Sequence, residues 1–233
     1  MEVMMGKTTA IILAAGQGRR MNSEVAKQYL MIQSRPVLYY SIKAFEESDV
    51  DEIILVTQQG EEEFVREIIV VPSGFRKVSN IIAGGKERYD SVYEGLKAIK
   101  DVDYVLIHDG ARPFISSMTI NNTIAVVKER KACVVGVPTK DTIKIVNDDQ
   151  IVIDTPKREG VWITQTPQAF EYKLIMKAYE ELMQQSSISV TDDAMVLEQV
   201  LHYPIYMVCG DYKNIKITTP EDLVVAEGLV SFD

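Results

Sequence analysis

Short apolar runs alternate along this chain with longer stretches in which apolar positions recur every three or four residues. The short runs predict strands over Ala10–Leu13, Glu52–Val56, Asn80–Ala83, Tyr104–His108, Ala132–Val137 and Ile205–Val208. The longer stretches predict helices over Val37–Glu46, Glu61–Ile69, Tyr89–Ile99, Met118–Lys128, Lys173–Gln184 and Pro220–Leu229. Strands that alternate with helices argue for an α/β fold, a Rossmann-like, mostly parallel twisted sheet covered on both faces. Ligands of such sheets bind beyond the carboxyl ends of the strands. The loops Arg19–Lys27 and Asp109–Pro113 both follow predicted strands, so both could meet at that edge.

One segment breaks the rhythm. Between Thr139 and Gly160, the β-branched runs Thr142–Val146 and Ile151–Thr155 flank Asn147-Asp148-Asp149-Gln150, which is a hairpin signal without the strongest turn dipeptide. An isolated two-stranded hairpin is marginal in water, so this one should pack on something. No repeat, low-complexity tract or linker interrupts the chain, and its 233 residues suit one domain over 1–233 with a protruding arm at about 139–160.

Composition narrows the function. No apolar run approaches the ~20 residues of a membrane span, and the first residues lack the shape of a signal peptide. Cys133 and Cys209 lie in apolar runs with no C-x-x-C spacing; both read as buried free thiols, which points to the cytoplasm. There are 25 basic and 34 acidic residues, a net charge of −9, with no basic stripe to suggest nucleic acid. An acidic protein that binds anions must concentrate cations locally. Arg19, Arg20 and Lys27 do so near one end, Lys213 and Lys216 near the other.

The first strand runs into Leu13-Ala14-Ala15-Gly16-Gln17-Gly18-Arg19-Arg20-Met21, followed by Lys27-Gln28-Tyr29-Leu30. Small residues let backbone N–H groups approach a ligand closely, and the cations beyond suit a polyphosphate. The spacing is neither that of a P-loop nor G-x-G-x-x-G, since Met21 occupies the third glycine position. Four further segments follow in order: His108-Asp109-Gly110-Ala111-Arg112-Pro113, Thr166-Pro167-Gln168-Ala169-Phe170, Thr191-Asp192-Asp193-Ala194, and Asn214-Ile215-Lys216-Ile217-Thr218-Thr219-Pro220-Glu221-Asp222-Leu223. Together these five segments resemble the 2-C-methyl-D-erythritol 4-phosphate cytidylyltransferase family, over nearly the whole chain.

The resemblance implies the nucleotide-diphospho-sugar transferase type of fold and a reaction between CTP and a polyol phosphate, assisted by Mg²⁺. It implies CTP contacts from Ala14, Ala15, Gly16, Gly18, Arg19, Gly85, Lys86 and Ser91. Arg20, Lys27, Arg158 and Lys216 take catalytic roles by the same likeness. Asp109, Arg112, Thr142, Arg158, Thr166 and Lys216 surround the acceptor, and Asp109 is the candidate metal ligand, directly or through water. The hairpin becomes an arm that grips a second subunit, carrying Arg158 and Thr166 to the partner's acceptor-phosphate pocket in a homodimer. One departure is Ala26, where the family usually has proline before the lysine.

Plainer readings stand beside these. Thr191-Asp192-Asp193 reads as a helix cap followed by acids facing the helix dipole. Trp162 reads as a packing residue, His108 as packed and hydrogen-bonded, and His202 as a surface or structural residue. No Ser-His-Asp or Cys-His set is evident, and a phosphate monoester, largely dianionic at neutral pH, needs no general base to attack. A ribitol 5-phosphate cytidylyltransferase and a non-catalytic nucleotide-binding protein on the same fold stand as alternatives.

Overall fold

In a computed structural model of the chain, residues 6–16, 25–185 and 187–230 are described. The predicted strands appear as β1 (Thr8–Ala14), β4 (Glu52–Thr57), β5 (Val78–Ala83), β6 (Tyr104–Asp109), β7 (Ala132–Pro138) and β11 (Tyr206–Cys209). Two short strands, β2 (Met31–Ile32) and β3 (Arg35–Pro36), pair with each other between β1 and the first helix. Helices α1 (Val37–Glu46), α4 (Arg88–Ala98), α5 (Ser117–Arg130), α6 (Tyr172–Leu182) and α8 (Pro220–Val230) match predicted ones closely. The segment predicted as a helix from Glu61 is broken: α2 (Glu62–Val65) passes through a π-turn at Arg66–Val70 into α3 (Val71–Ser73), whose end is left-handed at Gly74.

Seven strands form one sheet in the order β11-β7-β10-β6-β1-β4-β5. Only β10 (Trp162–Glu171) runs against the rest, antiparallel to both β6 and β7. The sheet is therefore mostly parallel, as the alternation of elements predicts. β10 itself is absent from the predicted strands. Its polar stretch Thr164-Gln165-Thr166 and Pro167 hide it, because proline inside a run argues against a central strand. The register slips there, between Thr164 and Gln168, and pairing resumes beyond it. Helix α7 (Asp193–Leu201) also goes unpredicted apart from its cap.

Alternate residues of one strand feed two separate cores, as the two-residue strand period requires. Ala10 and Ile12 of β1 join Leu38, Ile42 and Phe45 of α1 and Ile120, Ile124 and Val127 of α5. Ile11 joins Val92 and Leu96 of α4, Ile175 and Tyr179 of α6, and Val196 and Leu197 of α7 on the opposite face. The helices thus cover both faces and leave the strand ends open. β8 (Ile145–Val146) and β9 (Val152–Asp154) form the predicted hairpin, antiparallel and exposed along its whole length. Among the described residues, no helix is long and apolar enough to cross a membrane. Cys133 is buried as expected, whereas Cys209 is exposed, because the edge strand β11 has a sheet neighbour only in β7.

Candidate active site

The register sets the carboxyl ends of β1, β4, β5 and β6 level: Leu13 lies beside Asp109 and Val56, and Thr57 beside Ala83. Beyond them opens a cavity of about 930 Å³, whose lining includes Ala14, Ala15, Gly16, Lys27, Gly85, Lys86, Ser91, Asp109 and Lys216. Nine residues expected from the sequence to act on ligands therefore share one space. Gly18, Arg19 and Arg20 lie outside the described residues. Lys27, Lys86, Arg88 and Lys216 bring four cations to the cavity lining, against the carboxylates of Glu87 and Asp109. In a protein of net charge −9 this is a local reversal of sign.

Two loops bring bare backbone to the cavity. On one side, the buried side chain of Gln28 donates to the Ala14 carbonyl at 2.7 Å and ties the 3₁₀ turn Lys27–Tyr29 to the end of β1. On the other, β5 turns into α4 through Gly84 and Gly85. A Cβ at Gly84 would lie 2.6 Å from Ser91 Oγ and 2.8 Å from Ala15 Cβ, and one at Gly85 would overlap the Asp90 side chain. Only glycine fits this close approach. The Ser91 hydroxyl accepts from Gly85 N–H at 3.1 Å, and Glu87 and Asp90 form a reciprocal capping box on α4.

Asp109, at the end of β6, is the electrostatic centre. Its Oδ2 lies 2.7 Å from Lys216 Nζ and 4.0 Å from Arg112 Nε, and its Oδ1 lies 3.3 Å from Arg88 Nε. Burial alone would push this carboxyl up. The charges of Arg88 and Lys216, then Arg112, overcome that and hold it well below the usual carboxylate range. Its backbone N–H donates to Thr166 Oγ1 at 3.1 Å, and Thr166 lies 3.0 Å from Nδ1 of the fully buried His108. His108 Nε2 meets the Arg112 carbonyl at 3.3 Å. These partners assign the neutral tautomer: Nε2–H donates to Arg112, and Nδ1 accepts from Thr166. Burial pushes the His108 imidazole down to about 4.

Lys216 reaches Asp109 because its loop is clipped to the loop after β6. Ile217 N–H donates to the Ala111 carbonyl at 2.8 Å, and Arg112 Nη1 donates to the Asn214 carbonyl at 2.8 Å. Asp222 accepts from the N–H groups of Thr218 and Thr219 and starts α8.

The remaining expected acceptor residues divide. Thr142 and Arg158 lie away on the exposed arm, where Arg158 Nη1 donates to the Lys140 carbonyl at 3.3 Å, and neither lines the cavity. Thr166 departs from its expected place in a partner's pocket. It sits on β10 in the middle of its own sheet, and its hydroxyl is engaged by its own Asp109 and His108. Arg112 braces the Asn214 loop and also lies outside the cavity lining.

Arg88 and Asp193 are the residues that sequence reasoning left without a site role. Arg88 Nη1 and Nη2 each donate to an Asp193 oxygen at 2.8 Å, a bidentate fork, and Asp193 is wholly buried. Burial opposes the Arg88 charge, and Asp193 and Asp109 more than offset it. Asp192 rather than Thr191 caps α7, accepting from Met195 N–H at 2.9 Å. The signal in the sequence was the adjacency of two acids, of which a cap needs only one.

A family model described as 2-C-methyl-D-erythritol 4-phosphate cytidylyltransferase matches residues 8–231. Proteins of that name from Lachnoclostridium phytofermentans and Alkaliphilus oremlandii are 55% and 51% identical to this chain, and each alignment spans 96% or more of both partners. The crystal structure of 4-diphosphocytidyl-2C-methyl-D-erythritol synthase from Anaerococcus prevotii superposes with a TM-score of 0.86 at 36% identity, covering 97% of this chain and 96% of that one.

Proposed function

This chain belongs to the 2-C-methyl-D-erythritol 4-phosphate cytidylyltransferase family, and from that premise we infer how its residues divide the work. The reaction is transfer of CMP from CTP to 2-C-methyl-D-erythritol 4-phosphate, giving 4-diphosphocytidyl-2-C-methyl-D-erythritol and pyrophosphate in isoprenoid precursor synthesis. The observation that carries the division is that one cavity is lined by the backbones at Ala14–Gly16 and Gly84–Gly85 together with Lys27, Lys86 and Lys216.

An oxygen of the acceptor phosphate forms a bond to the α-phosphorus, and the bond to the bridging oxygen of the leaving pyrophosphate breaks. The nucleophile is already ionised at neutral pH. The protein's task is alignment and neutralisation of charge that grows on the phosphoryl oxygens. Lys27 takes that role at the α-phosphate, and by the family likeness Arg20 shares it. Backbone groups of Gly85 and Lys86, with Ser91, hold the cytidine end. Lys216, fixed by Asp109, receives the acceptor phosphate.

A divalent cation would share its ligands between the protein and the substrate phosphates. Among the described residues no three His, Cys, Asp or Glu side chains gather to hold a metal. Mg²⁺ is commonly bound by one or two carboxylates plus substrate phosphates, and Asp109 offers such a carboxylate. The ion would neutralise triphosphate charge when bound.

The exposed arm supports a homodimer. Ile145, Val146, Ile151, Val152 and Ile153 are 44–63% exposed, on both faces of a hairpin too small to bury them. A two-fold partner would cover them and bring its Thr142 and Arg158 to the acceptor end of this cavity. One domain with this arm, working in the cytoplasm, completes the reading; both cysteines are free thiols.

The test is an assay of purified protein with CTP and Mg²⁺. One pyrophosphate per cytidylylated alcohol is expected with 2-C-methyl-D-erythritol 4-phosphate, and little turnover with ribitol 5-phosphate. CTP binding with no pyrophosphate released from it in the presence of any polyol phosphate would overturn it.

A further inference from the structure

A row of alternating charges runs from the core beneath α6 and α7 to the cavity. Tyr179 donates to Asp193 Oδ1 at 2.7 Å, Asp193 holds the Arg88 fork, Arg88 Nε meets Asp109 Oδ1, and Asp109 Oδ2 meets Lys216 Nζ. The buried carboxylate at its inner end is surplus to the helix it begins. Asp192 already caps α7, and the N–H groups of Asp193 and Ala194 donate to Gln168 Oε1 at 3.0 and 2.8 Å. Burying a carboxylate carries a desolvation penalty that a helix start does not require.

We propose that Asp193 is a positioning residue for the transfer reaction, acting through Arg88 on Asp109 and Lys216. The inference rests on the activity inferred above. Its logic is the shape of guanidinium. Asp193 takes the Nη1/Nη2 edge bidentately, which leaves Nε for Asp109 Oδ1 and frees Oδ2 for Lys216. Without the Asp193 charge, Asp109 becomes the anion nearest the fork. The guanidinium then turns toward it and competes with Lys216, whose ammonium loses its fixed place at the cavity. Tyr179 fixes Asp193 in turn, and its own hydroxyl is pushed up by burial and by that carboxylate.

The test is a double-mutant cycle between Asp193→Asn and Arg88→Met. Asp193→Asn should lower kcat by about 10- to 100-fold, the range expected when a reacting group is misplaced by about 1 Å, with KM for CTP within about twofold of wild type. In the Arg88→Met background the same change should cost nothing further, because the group through which it acts is gone. Unchanged kcat in folded Asp193→Asn, or losses that multiply in the double mutant, would overturn the proposal. If Asp193→Asn does not fold, Tyr179→Phe decides. It keeps both charges and removes only the 2.7 Å hydrogen bond. A smaller loss in kcat at unchanged Tm and unchanged KM for CTP supports the proposal, and unchanged kcat overturns it. Absence of transfer by the wild-type protein would instead strike the inferred activity, before any variant is compared.

Discussion

His108 should make the protein lose stability on mild acidification, over a range in which most carboxylates are still ionised. The ring is wholly buried and its titration is pushed from 6.5 to about 4. Burial is the main cause; the nearby Asp109 charge pulls upward and Arg112 pushes down. In the unfolded chain the ring takes up a proton near pH 6.5. Between that pH and about 4 the unfolded state therefore binds more protons than the folded one, and stability must fall as pH falls. The full loss is about 3 kcal/mol, from ~1.4 kcal/mol for each tenfold change in proton affinity, and about 2 kcal/mol of it is reached by pH 5. With a urea slope near 3 kcal/mol/M, the unfolding midpoint should drop by about 0.7 M between pH 7.5 and pH 5. Protonation also places a donor on Nδ1, so the Thr166 hydroxyl proton loses its acceptor. That hydroxyl carries the Asp109 backbone at 3.1 Å, so the disturbance reaches the site. His108→Gln supplies the control. It starts less stable, but most of its pH dependence in this window should vanish, and His202 is common to both proteins. Equal midpoint shifts in wild type and His108→Gln would refute the reasoning.

Lys27→Ala and Lys216→Ala should each lower kcat by ~10²–10³ with the fold intact, the usual cost of one preorganised charge-stabilising group; turnover and circular dichroism at matched concentration check this. CTP should exceed UTP, ATP and GTP in kcat/KM, because a site that hydrogen-bonds one base edge leaves groups unpaired with another; a competition assay reads the ratio. Mixing inactive Lys27→Ala with inactive Arg158→Ala and exchanging subunits should restore activity, since a shared site leaves one of two sites free of lesions; no recovery despite proven exchange would mean that Arg158 acts within its own subunit.

The sheet was legible because its parallel strands are buried on both faces and read as unbroken apolar runs, as in Ala10–Leu13 and Ala132–Val137. β10 was illegible for the converse reason. It carries Gln165, Thr166 and Gln168, buried polar residues that serve the Asp211–Asn214 loop, the site and the α7 start rather than the core. The cavity lining was legible at Gly16, where a small-residue loop follows a strand, and where cations cluster, whereas Gly85, Lys86 and Ser91 came from the family resemblance. What sequence spacing could not supply was the pairing across β6, α4 and α7 that joins Asp109, Arg88 and Asp193. Arg88 lies 21 positions from Asp109 and 105 from Asp193, and the three meet only because the sheet order sets their elements together. Thr166 illustrates the same limit: its place in the middle of the sheet follows from the antiparallel insertion of β10, which the sequence does not announce.

The most direct test of this division of roles is a crystal structure of the protein with CTP and Mg²⁺. The triphosphate should lie against the Ala14–Gly16 backbone with Lys27 at the α-phosphate. The cytosine should be held at Gly85, Lys86 and Ser91, and the Lys216 ammonium should remain fixed by Asp109 beside the α-phosphorus. CTP lying with its base toward Lys216 and its phosphates toward Ser91, or bound outside this cavity, would contradict it.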